Sequence, residues 1–300
     1  MNRPERPPLS QTVAVRFRAL DGYELGGLLY EPRGGPAPRQ VAVLHPGAAI
    51  AQSRYRHFAR FVSDAGIPVF TYDYRGIGAS RPASLRGFRA TMEDWAEYDC
   101  AAAIGWLRER FRTSEIAGIA HSISTLLQGG AHNAAEQAQV LMVAPHTGYF
   151  ADYLPAYRPA MTVMWHAVMP LITRLVGYFP ARRLGLGDDI PREIALQWAS
   201  RRSPDLRPRP GETACGRRSR LLDHCAGLGY RVQVILATDD AFATTASAAR
   251  VLSYFPGARI VQQQVFTPAD AEGRRLGHFG LFRRMSGATL WPRVLAMLGP

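Results

Sequence analysis

The sequence predicts an α/β fold in which a mostly parallel sheet is flanked by helices. Short apolar runs typical of buried strands alternate with longer stretches of helical periodicity, and this alternation is the pattern of parallel βαβ units. The chain has 300 residues, of which 47% are hydrophobic. This length suits one large domain with an insertion better than two ordinary domains.

A pair of antiparallel strands is predicted at the start of the chain. Residues 11–19 and 23–31 are alternating or apolar, and Asp21-Gly22 between them is typical of a hairpin turn. A turn-rich link at 32–38 then leads into the parallel part of the sheet.

The predicted elements that follow are strand 41–45, helix 54–65, strand 67–73, helix 91–111 and strand 115–120. Thr91 is the expected N-cap of its helix, because a threonine hydroxyl accepts a hydrogen bond from the free N–H groups of the first turn. Glu93 and Asp94 in that turn suit the positive end of the helix dipole.

Beyond residue 120 we expect helix 123–135, strand 140–144, strand 232–237, helix 244–254, strand 259–266 and a closing helix over 281–298. Residues 147–229 show no clear strand; they contain aromatic and methionine-rich helical pieces, prolines and an arginine-rich stretch at 201–220. We interpret 147–229 as a helical cap inserted into a core formed by 1–146 and 230–300.

The charge of the chain is strongly positive, +12, and all 36 basic residues are arginine. Such a balance raises nucleic acid or anionic lipid as a partner. The arginines are scattered from Arg3 to Arg293 in short groups, whereas nucleic-acid binding needs a clustered basic face or a known module. We therefore predict no nucleic-acid partner.

Three cysteines, an odd number without a C-x-x-C pair, argue against a disulfide framework or a metal site. The proline-rich start of the chain lacks the apolar core of a signal peptide, so a cytoplasmic location is expected. Residues 161–179 are apolar but contain His166, Pro170 and Arg174, which favours buried or lid helices over a membrane span. Surface association of this segment with lipid is the alternative.

Two motifs lie at the ends of predicted strands. Ala120-His121-Ser122-Ile123-Ser124 stands between an apolar run and a helical run, with small residues at its outer positions. Asp73-Tyr74-Arg75-Gly76-Ile77-Gly78-Ala79-Ser80-Arg81-Pro82 contains glycines suited to a tight turn, and its Asp and Arg can tie that turn to neighbouring backbone.

Together these motifs resemble those of α/β hydrolases of the serine-aminopeptidase-like branch, particularly its poorly characterised bacterial members. The loop at 73–80 matches the D-x-R-G-x-G-x-S pattern of the superfamily, and Ser122 occupies the serine position of the G-x-S-x-G nucleophile elbow. The resemblance extends over nearly the whole chain, including 178–187. It implies an α/β-hydrolase fold with a mostly parallel eight-stranded sheet and a helical cap.

The resemblance also implies a catalytic order of serine, acid and histidine along the chain. Ser122 is the expected nucleophile, and His278 is the one histidine C-terminal to the candidate acids. Asp240 is preferred over Asp239 because it precedes Thr244 by four residues, where the family has a proline after its catalytic acid. Asp239 is then expected to cap a helix or hold a loop.

An oxyanion hole requires two backbone N–H groups aimed at the developing negative charge. One is expected from Ile123, directly after the nucleophile. The other is expected from the turn His45-Pro46-Gly47-Ala48, with Ala48 as first choice and Ala49 as second, since Pro46 has no N–H. His45 is expected to shape this turn. The side chain of His121 is expected to point away from the serine oxygen.

The predicted function is hydrolysis of a carboxylic ester or thioester through an acyl-enzyme, with a small-molecule acyl substrate and no cofactor or metal. An acyltransferase with the same triad is one alternative, and a non-catalytic binding protein is another. Trp165, Met161 and Met164 are candidates to line an acyl pocket, although such residues also serve to pack a helix against a core. The oligomeric state is not predicted.

Overall fold

The computed structural model of the protein describes residues 10–34, 36–206 and 215–299. The predictions made for the proline-rich start of the chain, and for 207–214 of the arginine-rich stretch, lie outside the described residues. So does the side chain of Cys215, whereas Cys100 and Cys225 are buried free thiols.

Eight strands form one sheet, as predicted, in the spatial order β1-β2-β4-β3-β5-β6-β9-β10. β1 and β2 pair antiparallel, β2 and β4 also pair antiparallel, and all other neighbours are parallel. The bounds are β1 Gln11–Arg18, β2 Glu24–Glu31, β3 Gln40–His45, β4 Val69–Tyr72, β5 Glu115–His121, β6 Gln137–Val143, β9 Arg231–Ala237 and β10 Arg259–Phe266.

The helices connect these strands and cover both faces of the sheet, in keeping with a parallel α/β architecture. Their bounds are α1 Arg56–Asp64, α2 Met92–Asp94, α3 Ala101–Arg110, α4 Ser124–Leu127, α5 Arg158–Val163, α6 Met169–Val176, α7 Arg192–Ala199, α8 Cys215–Ala226, α9 Thr245–Leu252 and α10 Trp291–Leu298. Turns of π-helix join α2 to α3 at Trp95–Cys100 and α5 to α6 at Met164–Val168.

Short 3₁₀ turns occupy many of the remaining connections. They are Gln52–Tyr55, Gly78–Ser80, Gln128–Gly130, Ala134–Glu136, Phe150–Asp152, Pro155–Tyr157, Ala181–Leu184, Pro268–Ala271, Gly277–Phe282 and Arg284–Ser286. The predicted start of the helix after residue 90 is confirmed. Thr91 accepts from the N–H of Asp94, and the Asp94 carboxylate accepts from the N–H of Thr91, which forms a complete capping box.

The helix predicted over 123–135 is wrong in length, because regular helix ends at Leu127 and a single 3₁₀ turn follows. A Cβ atom at Gly129 would lie 2.6 Å from the Phe255 ring, and one at Gly130 would lie 2.7 Å from Leu221. The glycines therefore allow neighbouring elements to approach closely where a longer helix was expected.

The closing helix is also shorter than predicted and begins at Trp291 rather than at 281. Apolar residues before it fold as 3₁₀ turns, and Trp291 Nε1 donates to the carbonyl of Leu281 at 2.6 Å. Pro292 lies in the first turn of α10, where the missing N–H of proline costs no intrahelical bond. Leu281, Phe282 and Leu290 are buried in this loop, so these apolar side chains contribute to the core without helical periodicity.

The segment between β6 and β9 contains α5 to α8 and one small antiparallel pair, which corrects the expectation that it holds no strand. β7 Tyr178–Phe179 pairs with β8 Ile190–Pro191. The apolar stretch at 161–179 is broken at Gly177, which takes a left-handed conformation (φ 87°) at the end of α6. In the described parts of the chain, no helix has the length and apolar character needed to cross a membrane.

Candidate active site

The turn after β5 places Ser122 in a strained backbone conformation, with φ at 63°. L-residues other than glycine rarely adopt this left-handed region, which is typical of a nucleophile elbow. Three contacts hold it: the N–H of Ser122 donates to the Val143 carbonyl (2.9 Å), and the N–H and hydroxyl of Thr125 donate to the Ser122 carbonyl (3.1 and 2.7 Å). The elbow geometry is therefore present without glycine at either outer position.

The structure brings the three predicted catalytic side chains into one hydrogen-bonded line. Ser122 Oγ lies 2.9 Å from Nε2 of His278, and Nδ1 of His278 lies 2.8 Å from Oδ2 of Asp240. Because the carboxylate accepts a hydrogen bond from Nδ1–H, the proton of the neutral ring stays on Nδ1, and Nε2 is free to accept a proton from the serine hydroxyl. The arrangement can therefore activate the Ser122 oxygen as a nucleophile.

Asp240 is buried at the end of β9 yet remains ionised at neutral pH. Burial raises the pKa of its carboxyl, but the charge and hydrogen bond of His278 and the backbone N–H groups of Phe242 and Ala243 together lower that pKa to about 2. The Phe242 N–H donates to Oδ1 at 2.8 Å. One carboxylate oxygen thus holds His278 while the other is tied to the chain.

Asp239 has a separate task in the loop that carries His278. Its two carboxylate oxygens accept hydrogen bonds from the N–H groups of Leu276 (2.9 Å) and Gly277 (3.0 Å). This is one of the two roles expected for Asp239 from the sequence. The two neighbouring aspartates therefore fix the same histidine in different ways, Asp240 through its ring and Asp239 through the backbone before it.

His121 links the turn after β3 to the His278 loop. Tyr55 OH lies 2.8 Å from Nδ1 of His121 and accepts from the Gly47 N–H at 2.8 Å, while Nε2 of His121 lies 2.9 Å from the His278 carbonyl oxygen. Burial lowers the pKa of His121 to about 3, so the ring is neutral. Both ring nitrogens are engaged away from the serine oxygen, as predicted.

The turn at 45–48 packs directly against the elbow. A Cβ atom at Gly47 would lie 2.9 Å from Nδ1 of His121 and 3.3 Å from Cβ of Ser122, so glycine permits this close approach. Ala49 takes a positive φ of 60°, which turns the backbone after Ala48. The turn at 45–48 therefore packs against the elbow, and Ile123 is the residue directly before α4. The oxyanion role of Ala48 and Ile123 stays a prediction.

His45 lies at the end of β3, below this turn, and is fully buried. Its ring nitrogens contact Tyr72 OH (2.8 Å) and the side-chain oxygen of Gln137 (3.2 Å). Burial lowers the pKa of His45 to about 4, so the ring is neutral. It forms part of the buried core at the base of the turn.

The loop at 73–82 is held by its own charged residues. The Asp73 carboxylate accepts from the N–H groups of Gln52 (2.6 Å) and Ala79 (2.7 Å), so it joins the start of the loop to the chain after β3. Arg75 forms ion pairs with Asp99 and Asp21. The motif therefore ties its own turn to the chain at Gln52.

His146, three residues beyond the end of β6, is not among the site residues predicted from the sequence. Its Nε2 is 2.9 Å from Ser122 Oγ, so two histidines contact the same hydroxyl. One sequence signal could have identified it: His146 closely follows a predicted strand, as Ser122 does. The structure sets these two strand ends side by side because β6 pairs with β5.

The three candidate pocket residues lie on the helical stretch formed by α5 and the π-helical turn after it, where all three are half-buried. The ring of Trp165 lies 6.0 Å from that of Trp198, and Trp198 lies 5.5 Å from the ring of His146. Trp165, Trp198 and His146 therefore form a row of neighbouring rings, which we call the aromatic path, between the segment that joins β6 to β9 and Ser122. Met161 and Met164 lie on the same stretch as Trp165.

Residues 36–251 match the family described as serine aminopeptidase, S33. The chain belongs to this family. It is therefore an α/β hydrolase, and the parallel sheet with a strained serine turn agrees with that assignment. In the described residues, no group of three or more His, Cys, Asp or Glu side chains is arranged to hold a metal ion.

Solved structures show the same fold at low sequence identity. An esterase from Pyrococcus furiosus is 16% identical, with a TM-score of 0.59 and coverage of 96% of this chain and 90% of that chain. An acetyl xylan esterase from Paenibacillus sp. R4 is also 16% identical, with a TM-score of 0.57 and coverage of 99% and 86%. No curated protein sequence matches the chain.

Proposed function

We propose that this hydrolase cleaves a carboxylic ester or thioester, with Ser122 as nucleophile, His278 as general base and acid, and Asp240 as the group that orients His278. The observation that carries the proposal is the continuous line of contacts from Ser122 Oγ through both nitrogens of His278 to Asp240. That the similar folds include two esterases supports an ester as the substrate class.

The reaction begins when Ser122 Oγ bonds to the acyl carbon and its proton passes to Nε2 of His278. Asp240, ionised at neutral pH, stabilises the resulting imidazolium. The N–H groups of Ile123 and Ala48 hold the oxyanion. His278 then gives its proton to the leaving alcohol or thiol, and a water molecule, deprotonated by His278, releases the acyl group from Ser122.

The acyl group is proposed to lie under the segment at 147–229, which acts as a cap with Trp165, Met161 and Met164 lining the pocket. The aromatic path from Trp165 through Trp198 to His146 supports this placement. Substitution Trp165→Ala should then change the preference between short-chain and long-chain nitrophenyl esters more than it changes the rate on the shortest ester.

An acyltransferase is the second candidate, favoured by the low exposure of the nucleophile. Only 5% of Ser122 is exposed, and His146 beside it is also buried. A covered acyl-enzyme excludes water and allows another acceptor to compete. Nitrophenyl ester turnover measured with and without alcohol acceptors separates the two: an acyltransferase forms the new ester faster than the free acid.

The proposed nucleophile is tested with a fluorophosphonate probe, which reacts with activated serines. The wild-type protein should be labelled at Ser122, Ser122→Ala should not be labelled, and His278→Ala should be labelled at least about a thousandfold more slowly. Ser84→Ala, at an exposed serine, is the matched control and should label like wild type. Absence of labelling in folded wild-type protein would reject the enzyme and favour a binding protein.

A further inference from the structure

We propose that His146 is a second catalytic histidine, which donates its Nε2–H to Ser122 Oγ and keeps that proton through the whole cycle. The proposal rests on the function proposed above and deepens it. Its basis is the 2.9 Å contact between His146 Nε2 and the reacting oxygen, which is separate from the contact made by His278.

The hydrogen-bond partner of the other ring nitrogen fixes the tautomer of His146. The N–H of Gly148 points at Nδ1 of His146 at 3.2 Å, and a backbone N–H can only donate. Nδ1 therefore accepts and carries no proton, which leaves the proton of the neutral ring on Nε2. Since Nε2 donates to Ser122 Oγ, the hydroxyl proton of Ser122 is directed to the other histidine.

The surroundings of His146 keep its ring neutral. Burial lowers its pKa well below the ordinary value, and the nearby charges of His278 and Arg201 lower it further, against the opposing effect of Asp240. A neutral ring with Nδ1 blocked has no free lone pair for the serine proton. His146 therefore acts as a donor and not as a second general base.

The ring is held on several sides. The ring of Trp198 lies 5.5 Å away in an edge contact, and that of Phe242 lies 6.3 Å away in a stacked one. The guanidinium of Arg201 donates to the carbonyl of Thr147, the residue between His146 and Gly148. The turn that carries the ring is thus anchored.

The hydrogen bond from His146 affects the reaction steps in which negative charge develops on Ser122 Oγ. In acylation the Oγ–H proton moves to His278 as Oγ bonds to the acyl carbon, and His146 stabilises the partial negative charge on Oγ. In deacylation the bond between Oγ and the acyl carbon breaks, and Oγ takes a proton back from His278. Here the donor makes Oγ a better leaving group, so both steps are accelerated without proton loss from His146.

The test compares His146→Ala with His146→Gln, because a glutamine amide can place a donor near the position of Nε2. Stopped-flow measurement on a nitrophenyl ester separates the burst of acylation from the deacylation rate. We expect His146→Ala to slow both steps by about tenfold to a hundredfold and His146→Gln to restore most of the loss. Equal rates for wild type and His146→Ala, with normal probe labelling at Ser122, would overturn this role alone.

A second measurement does not depend on turnover. Nitrogen-15 NMR of the histidine side chains should show His146 as the neutral Nε2–H tautomer near neutral pH, with the signal assigned by its loss in His146→Gln. A Nδ1–H tautomer or an imidazolium would contradict the proposal even if the enzyme is active. Failure of the proposed hydrolase function would instead appear as absent labelling of wild-type Ser122.

A second and independent inference concerns the outer face of the helical stretch at 158–176. Val163, Ala167, Leu171 and Leu175 follow each other at intervals of four residues and are all exposed, Leu171 by 60% and Leu175 by 78%. Residues four apart share one helix face, so these side chains form one apolar stripe. Met169 and Thr173 on the opposite side are buried.

The segment that carries this stripe has basic residues and no acidic ones, although its Arg182 pairs with Asp188 just beyond it. No Asp or Glu occurs between Asp152 and Asp188, whereas this interval contains four arginines, Arg158, Arg174, Arg182 and Arg183. An apolar helix face flanked by arginines is the pattern of helices that lie in the interface of an anionic bilayer. We infer that this face, Val163, Ala167, Leu171 and Leu175, rests on an anionic lipid surface.

Binding is tested by flotation with vesicles of phosphatidylcholine and phosphatidylglycerol in equal parts. The double variant Leu171→Glu with Leu175→Glu should bind about tenfold more weakly than wild type, and salt should weaken wild-type binding. Ile260→Glu with Val261→Glu changes two exposed apolar residues on β10 and is the matched control. The inference would be overturned if wild-type protein does not bind the vesicles, or if both double variants lose binding equally. It would also be overturned if the wild type is a dimer that only the Leu171→Glu, Leu175→Glu variant dissociates.

Discussion

Ser124 donates a hydrogen bond from its hydroxyl to the carbonyl oxygen of Pro46. The same hydroxyl accepts from Tyr74 OH at 2.8 Å. Ser124 occupies a position where the family commonly has glycine, and its side chain joins the elbow to the turn at 45–48. The substitution therefore adds a brace between the nucleophile and the proposed oxyanion hole.

Removal of this brace should cost stability more than activity. Ser124→Ala leaves the buried Pro46 carbonyl without its side-chain donor, so we expect a loss of about 1–3 kcal/mol in the free energy of unfolding, measured with urea. Esterase activity should fall less than about tenfold, because the backbone of the elbow is held by Val143 and Thr125 as well. A far larger loss of activity at unchanged stability would show that Ser124 acts in catalysis.

The two aspartates after β9 should differ in what they control. Asp240→Asn removes the carboxylate that holds the His278 tautomer, and we expect kcat to fall by about ten-thousandfold. Asp239→Asn weakens the hydrogen bonds to the Leu276 and Gly277 N–H groups, and a smaller loss of about tenfold is expected. Steady-state kinetics of both purified variants provide the comparison. The reverse order of effects would reassign the catalytic acid to Asp239.

Gly78 should tolerate substitution much less than Gly87, although both have positive φ values of 46° and 76°. A Cβ atom at Gly78 would overlap the Asp73 carboxylate, while nothing lies within 4 Å of one at Gly87. We expect Gly87→Ala to cost about 1 kcal/mol through backbone strain and Gly78→Ala several kcal/mol more. Urea unfolding of the two variants isolates the clash, and similar losses would show that Asp73 adjusts freely.

Acidification should destabilise the wild type through His45. Burial lowers the pKa of His45 to about 4, so between pH 6.5 and this value the unfolded chain binds a proton that the folded chain excludes. Stability from this group is complete above pH 6.5 and is lost as the pH falls toward 4. Each such group contributes about 1.4 kcal/mol per pH unit within this window.

The variant His45→Gln removes that group. Between pH 6.5 and 4 its free energy of unfolding should therefore fall less steeply with pH than that of the wild type, by about 1.4 kcal/mol per pH unit. All other titrating groups are common to both proteins, and the difference in slope therefore isolates His45. His132→Gln, at an exposed histidine, is the control for the histidine-to-glutamine substitution itself. Parallel curves for wild type and His45→Gln would contradict the prediction.

Local sequence signals predicted much of the fold correctly. The eight strands were recognisable because apolar runs of strand length are bounded by turn residues, and the Thr91 capping box depends on residues three positions apart. The predicted helix lengths after Ser122 and before Trp291 are wrong because contacts with residues elsewhere in the fold decide where these helices begin and end. Gly129 packs closely against the ring of Phe255, and the carbonyl of Leu281 accepts a hydrogen bond from the Trp291 ring nitrogen. No local sequence pattern predicts either contact.

The sequence by itself determined the order of the strands along the chain and the candidates Ser122, Asp240 and His278. Motif spacing and the order of residues along the chain can be read without knowing how the chain folds. Tertiary structure decided which side chains meet at the serine oxygen. It placed β6 beside β5, so that His146 reaches Ser122 from the neighbouring strand end. It also joined Ser124 to Pro46 across 78 residues. Contacts of this kind depend on how strands are ordered in space, and that order follows from packing of the whole sheet.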